Sequence, residues 1–153
     1  ATAERESGGS LFPLQTLSSE RLQRLLRAVY YVCRTRGYKV VVRFLPHAVS
    51  DLEPCVWALQ CLDAGDSEAW TSRYVLLLWL SMLVLVPFDL ETVDSESGEG
   101  LVARIISLAR SFLGSPTAAR EGAAVALSRL VTRPDLEGSH LRSLVDWCVT
   151  VTS

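Results

Sequence analysis

Apolar positions recur with helical spacing along almost the whole chain. In SSERLQRLLRAVYYVCRTRG the residues Leu22, Leu25, Leu26, Val29, Tyr30 and Cys33 step by three and four, one stripe of an amphipathic helix. Ser19 stands where a cap would start this helix and Gly37 where a helix commonly stops. Tyr38 to His47, YKVVVRFLPH, is ambiguous. Its β-branched run favours a strand by propensity, yet it is short, has no partner strand and ends at Pro46. It reads as a short helical or extended connector. Ser50 with Glu53 three residues on forms a capping box ahead of a stripe of Leu52, Val56, Leu59 and Cys61/Leu62. DAGDSE breaks the pattern, and a further helix starts near Glu68.

That helix carries RYVLLLWLSMLVLVPFDL, where Ser81 is the only polar residue between Tyr74 and Val86. At a rise of about 1.5 Å per residue the run reaches only ~20 Å. A bilayer core needs ~30 Å, and Arg73 and Asp89 close the two ends. A helix apolar around its whole circumference must be covered on several sides by other helices, so the stretch is the middle of a helical stack that Pro87 ends. LVARIISLARSFLG follows with Gly114 as its stop. PTAAREGAAVALSRLVTRPD has Pro116 at the first helical position and Pro134 as terminator. EGSHLRSLVDWCVTV is the last helix.

The expected fold is therefore all-α, about six main helices in antiparallel pairs. Corresponding pair starts near Asp51, Leu101 and Gly138 lie about fifty and then about thirty-seven residues apart, close to the ~40–47 of HEAT and armadillo repeats. Asp66 seven residues ahead of Arg73, before an apolar run, resembles the second helix of a HEAT unit. Residues 1–18 read as a loosely ordered lead-in and 19–153 as a helical-repeat segment, a fragment of a longer solenoid.

Charge is segregated although the net is only −2. Residues 20–43 hold seven basic residues and one acid, whereas residues 44–99 hold ten acids and Arg73 alone. The total gives no sign of a nucleic-acid partner. Arg21, Arg24, Arg27 and Arg34 fall off the first helix's stripe, either a solvated face or a docking surface for an acidic partner. Cys33, Cys55, Cys61 and Cys148 form no C-x-x-C pair and read as reduced, buried thiols of a cytosolic protein. The tryptophans, at 57, 70, 79 and 147, read as core, Trp70 being the least certain.

Catalytic signals fail in turn. SGEGL lacks the Lys and the preceding strand of a phosphate loop, and there is no G-x-S-x-G. His47 and His140 have no nearby acid at useful spacing, and no local ligand pair marks a zinc site. The expectation is a non-enzymatic chain with no catalytic, cofactor-binding or metal residues and no cofactor.

RGYKVVVRFLPHAVSDLEP, EAWTSRYVLLLWLSMLVLVPFDL and AAREGAAVALSRLVTRPDLEGSHLRSLVDW together resemble the amino-terminal part of the tubulin-folding cofactor D family, the tubulin-specific chaperones D, over about Tyr30 to Trp147. Ala48, Gly122 and a short 90–100 loop depart from the family's pattern. The resemblance implies a HEAT/armadillo solenoid acting after the cytosolic chaperonin, cytoplasmic and cytoskeleton-associated. Its implied partners are β-tubulin, cofactor E and an ADP-ribosylation-factor-like small GTPase, in an assembly that builds or dismantles the αβ-tubulin heterodimer and stimulates GTP hydrolysis by tubulin. A generic HEAT-repeat scaffold is the alternative. Arg133, at a helix end in TRPD, could reach a nucleotide site or hydrogen-bond neighbouring carbonyls and Asp135, the second being the stronger reading.

Overall fold

The computed structural model describes residues 19–62, 68–87, 90 and 100–152. The expected lead-in over 1–18, the breaker around Asp66 and nearly all of the acidic 89–99 loop lie outside them. Among the described residues seven α-helices follow one another: α1 (Ser19–Arg36), α2 (Tyr38–Val41), α3 (Leu52–Cys61), α4 (Trp70–Leu83), α5 (Leu101–Leu113), α6 (Ala119–Val131) and α7 (Arg142–Thr152). Single 3-10 turns occupy Val42–Phe44 and Val49–Asp51, a π turn spans Glu137–Leu141, and no strand occurs among the described residues. The ambiguous connector is thus helical over its first seven residues, to Phe44, and turns extended at Leu45. With no neighbouring strand to pair its N–H and C=O groups, its β-branched residues take the conformation that satisfies the backbone locally.

α4 is the hub. Of its fourteen residues all but Trp70 and Met82 are buried, including Thr71, Ser72, Arg73 and Ser81. α6 covers it most extensively, with α1 and α3 on other sides. The first half of α6 meets the first half of α4: a Cβ added to Gly122 would stand 3.0 Å from Leu77 Cβ and 3.2 Å from the Tyr74 carbonyl oxygen. Further along, Arg129 Nη1 donates to the Ser81 carbonyl at 3.2 Å. The two helices therefore run parallel and touch at a residue without a side chain. α1 runs the other way, since Tyr30 meets Trp70 and Tyr74 edge-to-face at 4.9 and 5.6 Å while Leu22 and Leu26 border a small apolar notch with Val75 and Trp79. Trp70, the least certain tryptophan, is therefore part of an aromatic cluster. Burial there pushes the Tyr74 hydroxyl up to about 12.

Helix ends differ from the simplest reading of the sequence. α1 stops where Gly37 takes φ +83°, a conformation costly for residues with a Cβ, and its N–H bonds to the Cys33 carbonyl at 3.0 Å. The Ser50–Glu53 capping box does not form. Val49–Asp51 is a 3-10 turn, and Asp51 precedes α3 without a side-chain cap. α4 begins two residues later than Glu68 and ends at Leu83, before Pro87. Val84 and Val86 remain buried beyond it. Pro116 is not the first residue of α6, which begins at Ala119 after a turn in which Thr117 Oγ1 accepts from the Ala119 N–H at 3.3 Å. Ahead of α3 and α6 a turn supplies the early hydrogen bonds that a cap was expected to supply.

Trp79 ties the hub to the connector, its ring 5 % exposed and its Nε1 donating to the Pro46 carbonyl. Trp79→Ala should lower unfolding free energy by about 3–5 kcal/mol in urea denaturation, and an unchanged midpoint would show that α4 is not the hub. Gly122→Val should cost about 1–3 kcal/mol by forcing α4 and α6 apart. Gly122→Ala should fail to yield the ~1 kcal/mol that a helical glycine normally returns on this change.

Candidate interaction surfaces

The chain assembles no nucleophile pair among its described residues. His47 is exposed, with Nδ1 2.9 Å from the Leu45 carbonyl. His140 lies in a cleft of about 360 Å³ bordered by Ala103, Ile106, Ser107, Arg110 and Ser143, with no cysteine. Burial, then the nearby Asp51 charge, push the Cys55 thiol far up, so it stays protonated and unreactive while donating to the Leu76 carbonyl at 3.5 Å. No group of three or more His, Cys, Asp and Glu among the described residues could hold a metal ion. None of the described helices is long and apolar enough to cross a membrane.

Two expectations about buried residues are corrected. Cys33 and Cys55 are buried, but Cys61 and Cys148 are exposed. Cys61 is the last residue of α3, outside the stripe of Leu52, Val56 and Leu59, and Cys148 lies on a helix with little packed over it. Trp57 is also exposed, because on α3 it falls between the buried positions Val56 and Ala58 and points away from α4. Trp79 is core as expected.

Arg133 does what its local sequence favoured. Its Nη1 donates to the Val84 and Val86 carbonyls at 2.6 and 2.7 Å, just past the end of α4. Nε and Nη2 hold Asp135, each at 2.9 Å. With Arg129 on Ser81, two arginines of α6 and the turn after it receive the carbonyl-rich end of α4, where the helix dipole favours positive charge. A cleft of about 490 Å³ opens beside them, lined by Leu85, Val86, Pro87, Arg129, Thr132, Arg133, Pro134 and Asp135. The Arg133 fork is fully engaged within the chain.

The basic segment forms an outward face. Arg24 pairs with Glu20 and Arg27 reaches Glu68 at 3.5 Å, both in exposed positions where such pairs add little. Arg21, Arg34, Arg36, Lys39 and Arg43 are exposed and join no ion pair among the described residues. Between them Leu25, Tyr31, Val32, Val40 and Phe44 are exposed too, Phe44 at 82 %. The sequence locates the charges but not the exposed apolar groups, because Leu25 shares the helical stripe of Leu22 and Leu26 and spacing alone does not tell which member of a stripe stays uncovered. At the other end of the stack α7 exposes Val145, Val149 and Val151.

A profile described as "Tubulin-specific chaperone D-like, ARM repeat" matches residues 11–152. This chain belongs to that family. It is 30 % identical over 107 residues to the tubulin-folding cofactor D of Schizosaccharomyces pombe, covering 70 % of this chain and 9 % of that protein. It is 30 % identical over 98 residues to the tubulin-specific chaperone D of Dictyostelium discoideum, covering 52 % of this chain and 7 % of that protein. The chain thus spans less than a tenth of the length of either relative. No solved structure matches it. The all-α stack is accordingly an ARM-repeat solenoid segment of a tubulin chaperone family.

The Arg133–Asp135 pair has a pH signature. Its hydrogen bonds hold the Asp135 carboxyl below the ordinary carboxylate range. A depressed folded-state value stabilises above the unfolded value of ~3.9 and is lost as pH falls through the folded one. Asp135→Asn should therefore cost about 1 kcal/mol at neutral pH, the pair being partly exposed, with the gap to wild type closing as pH falls below about 4. Urea midpoints of the two proteins across pH 2.5–7 check this.

Proposed function

We propose that this segment binds β-tubulin and takes part in assembling and dismantling the αβ-tubulin heterodimer after the chaperonin step. In this reading it works in the cytoplasm, associated with the cytoskeleton. It acts beside cofactor E and an ADP-ribosylation-factor-like small GTPase, in an assembly that stimulates GTP hydrolysis by tubulin. The observation that carries the reading is the family match over residues 11–152, with relatives named for tubulin folding. The physical features agree with it. Stacked helices give an extended surface suited to holding a folded protein. The described residues offer no catalytic constellation, so any effect on GTP hydrolysis would act through the client's own site.

The outward face of α1 and the following turns is the surface best suited to such a client. Its unpaired cations steer an acidic partner during encounter, and its exposed Leu25, Tyr31, Val32 and Phe44 supply apolar area that water-facing arginines alone would not. Purified β-tubulin should be retained by the immobilised chain at low ionic strength and released as salt rises, since exposed charges are screened within about 10 Å at 0.1 M. Arg21→Glu with Arg24→Glu should weaken retention at least several-fold without changing the helical signal in circular dichroism. Equal retention of the doubly substituted chain, or none by the wild type, would refute the assignment of this face.

A further inference from the structure

We propose that the cleft between α5 and the π turn that leads into α7 is a binding site for a phosphoryl group. The site is built from three elements. α5 contributes Ser107 and Arg110, the π turn contributes His140, and the first turn of α7 contributes Ser143. These groups line a cleft of about 360 Å³, large enough for a phosphorylated side chain or a small phosphate ester. Among the described residues no acidic side chain lines it.

Arg110 is the decisive group. Its guanidinium lies over the Trp147 ring, 5.0 Å from the centroid, a cation–π contact that ties it to α7. Its Nε is sealed from solvent and makes no hydrogen bond within the chain. The sealed Nε is out of a ligand's reach, so a phosphoryl group in the cleft would be met by the Nη groups of this half-buried side chain, whose charge and paired donors suit phosphoryl oxygens. Arg129 and Arg133, on α6 and the turn after it, donate to backbone carbonyls and, for Arg133, to Asp135; Arg110 makes no such bond among the described residues. Two hydroxyls and an imidazole around it supply the further donors that a phosphoryl group requires. The backbone reinforces the assignment. A π turn widens the helix at the residue that brings His140 to α5, and such insertions are frequent at functional positions. An arginine meant only to cover α5 against water would need neither the wide turn nor the ring beneath it.

The site lies away from the basic face of α1, so it is tested without reference to tubulin. Inorganic phosphate is titrated into the isotope-labelled chain while NMR follows the His140 imidazole and the Trp147 indole, with chloride at matched ionic strength as control. Saturable shifts of both signals with phosphate, absent with chloride, are expected. Arg110→Gln should abolish them, and Arg110→Lys, which keeps the charge and loses the fork, should weaken binding at least several-fold. Ser143→Ala, at an exposed position, should weaken binding with the fold intact. A phosphoserine-containing peptide binding more tightly than inorganic phosphate would assign the ligand to a phosphorylated protein segment, and the reverse order to a free phosphate. Non-saturable shifts, equal shifts with chloride, or equal affinity in folded Arg110→Gln would overturn the proposal.

Discussion

The structure depends on a helix that cannot tolerate water on any side. Thr71 to Ser81 of α4 are all buried, and burying the aliphatic and aromatic side chains of that run is worth roughly 1.5–3 kcal/mol apiece. No single partner helix can cover a full circumference, so α4 needs α1, α3 and α6 at once. The arrangement of the stack follows from that need: thin α6 pressed close and parallel, α1 running the opposite way, and α3 on a further side. Gly122, Ala119, Ala123 and Ala126, all buried, are the price of bringing α6 close enough.

Parallel neighbours carry a second cost. Two helices side by side in the same direction place their partial charges like against like, which raises the energy of the carbonyl ends. Arg129 and Arg133 meet that cost directly, donating to carbonyls of Ser81, Val84 and Val86. The chain past Leu83 can then leave the helix with its carbonyls satisfied. Both arginines belong to α6 or the turn after it, so the same contacts also fix the register of α6 on α4.

Much of this was legible in the sequence for a physical reason. An unbroken apolar run too short for a bilayer admits few arrangements, and the three-and-four spacing of α1 and α5 left little choice of element type. Helix termini were less legible. Ser50, Glu53 and Pro116 are the right residues for caps, but turns such as Val49–Asp51 supplied the same hydrogen bonds from backbone and hydroxyl groups. The cleft around Arg110 was not legible at all. Ser107, Arg110, His140 and Ser143 come together only because a π turn shifts the angle of the chain ahead of α7, and no periodicity in EGSHL announces that. Exposure of Cys61, Cys148 and Trp57 was likewise invisible, because an apolar residue at the edge of a stripe looks the same whether or not a neighbour covers it.

The glycine contact has a geometric outcome. α4 and α6 meet backbone to side-chain stem, whereas α3 and α5 touch sparsely and are joined by the long side chains of Gln60 and Arg104, 3.3 Å apart. One layer of the stack is thereby shorter than the layer behind it. Repeated along a stack, that inequality would bend it toward the α4–α6 side.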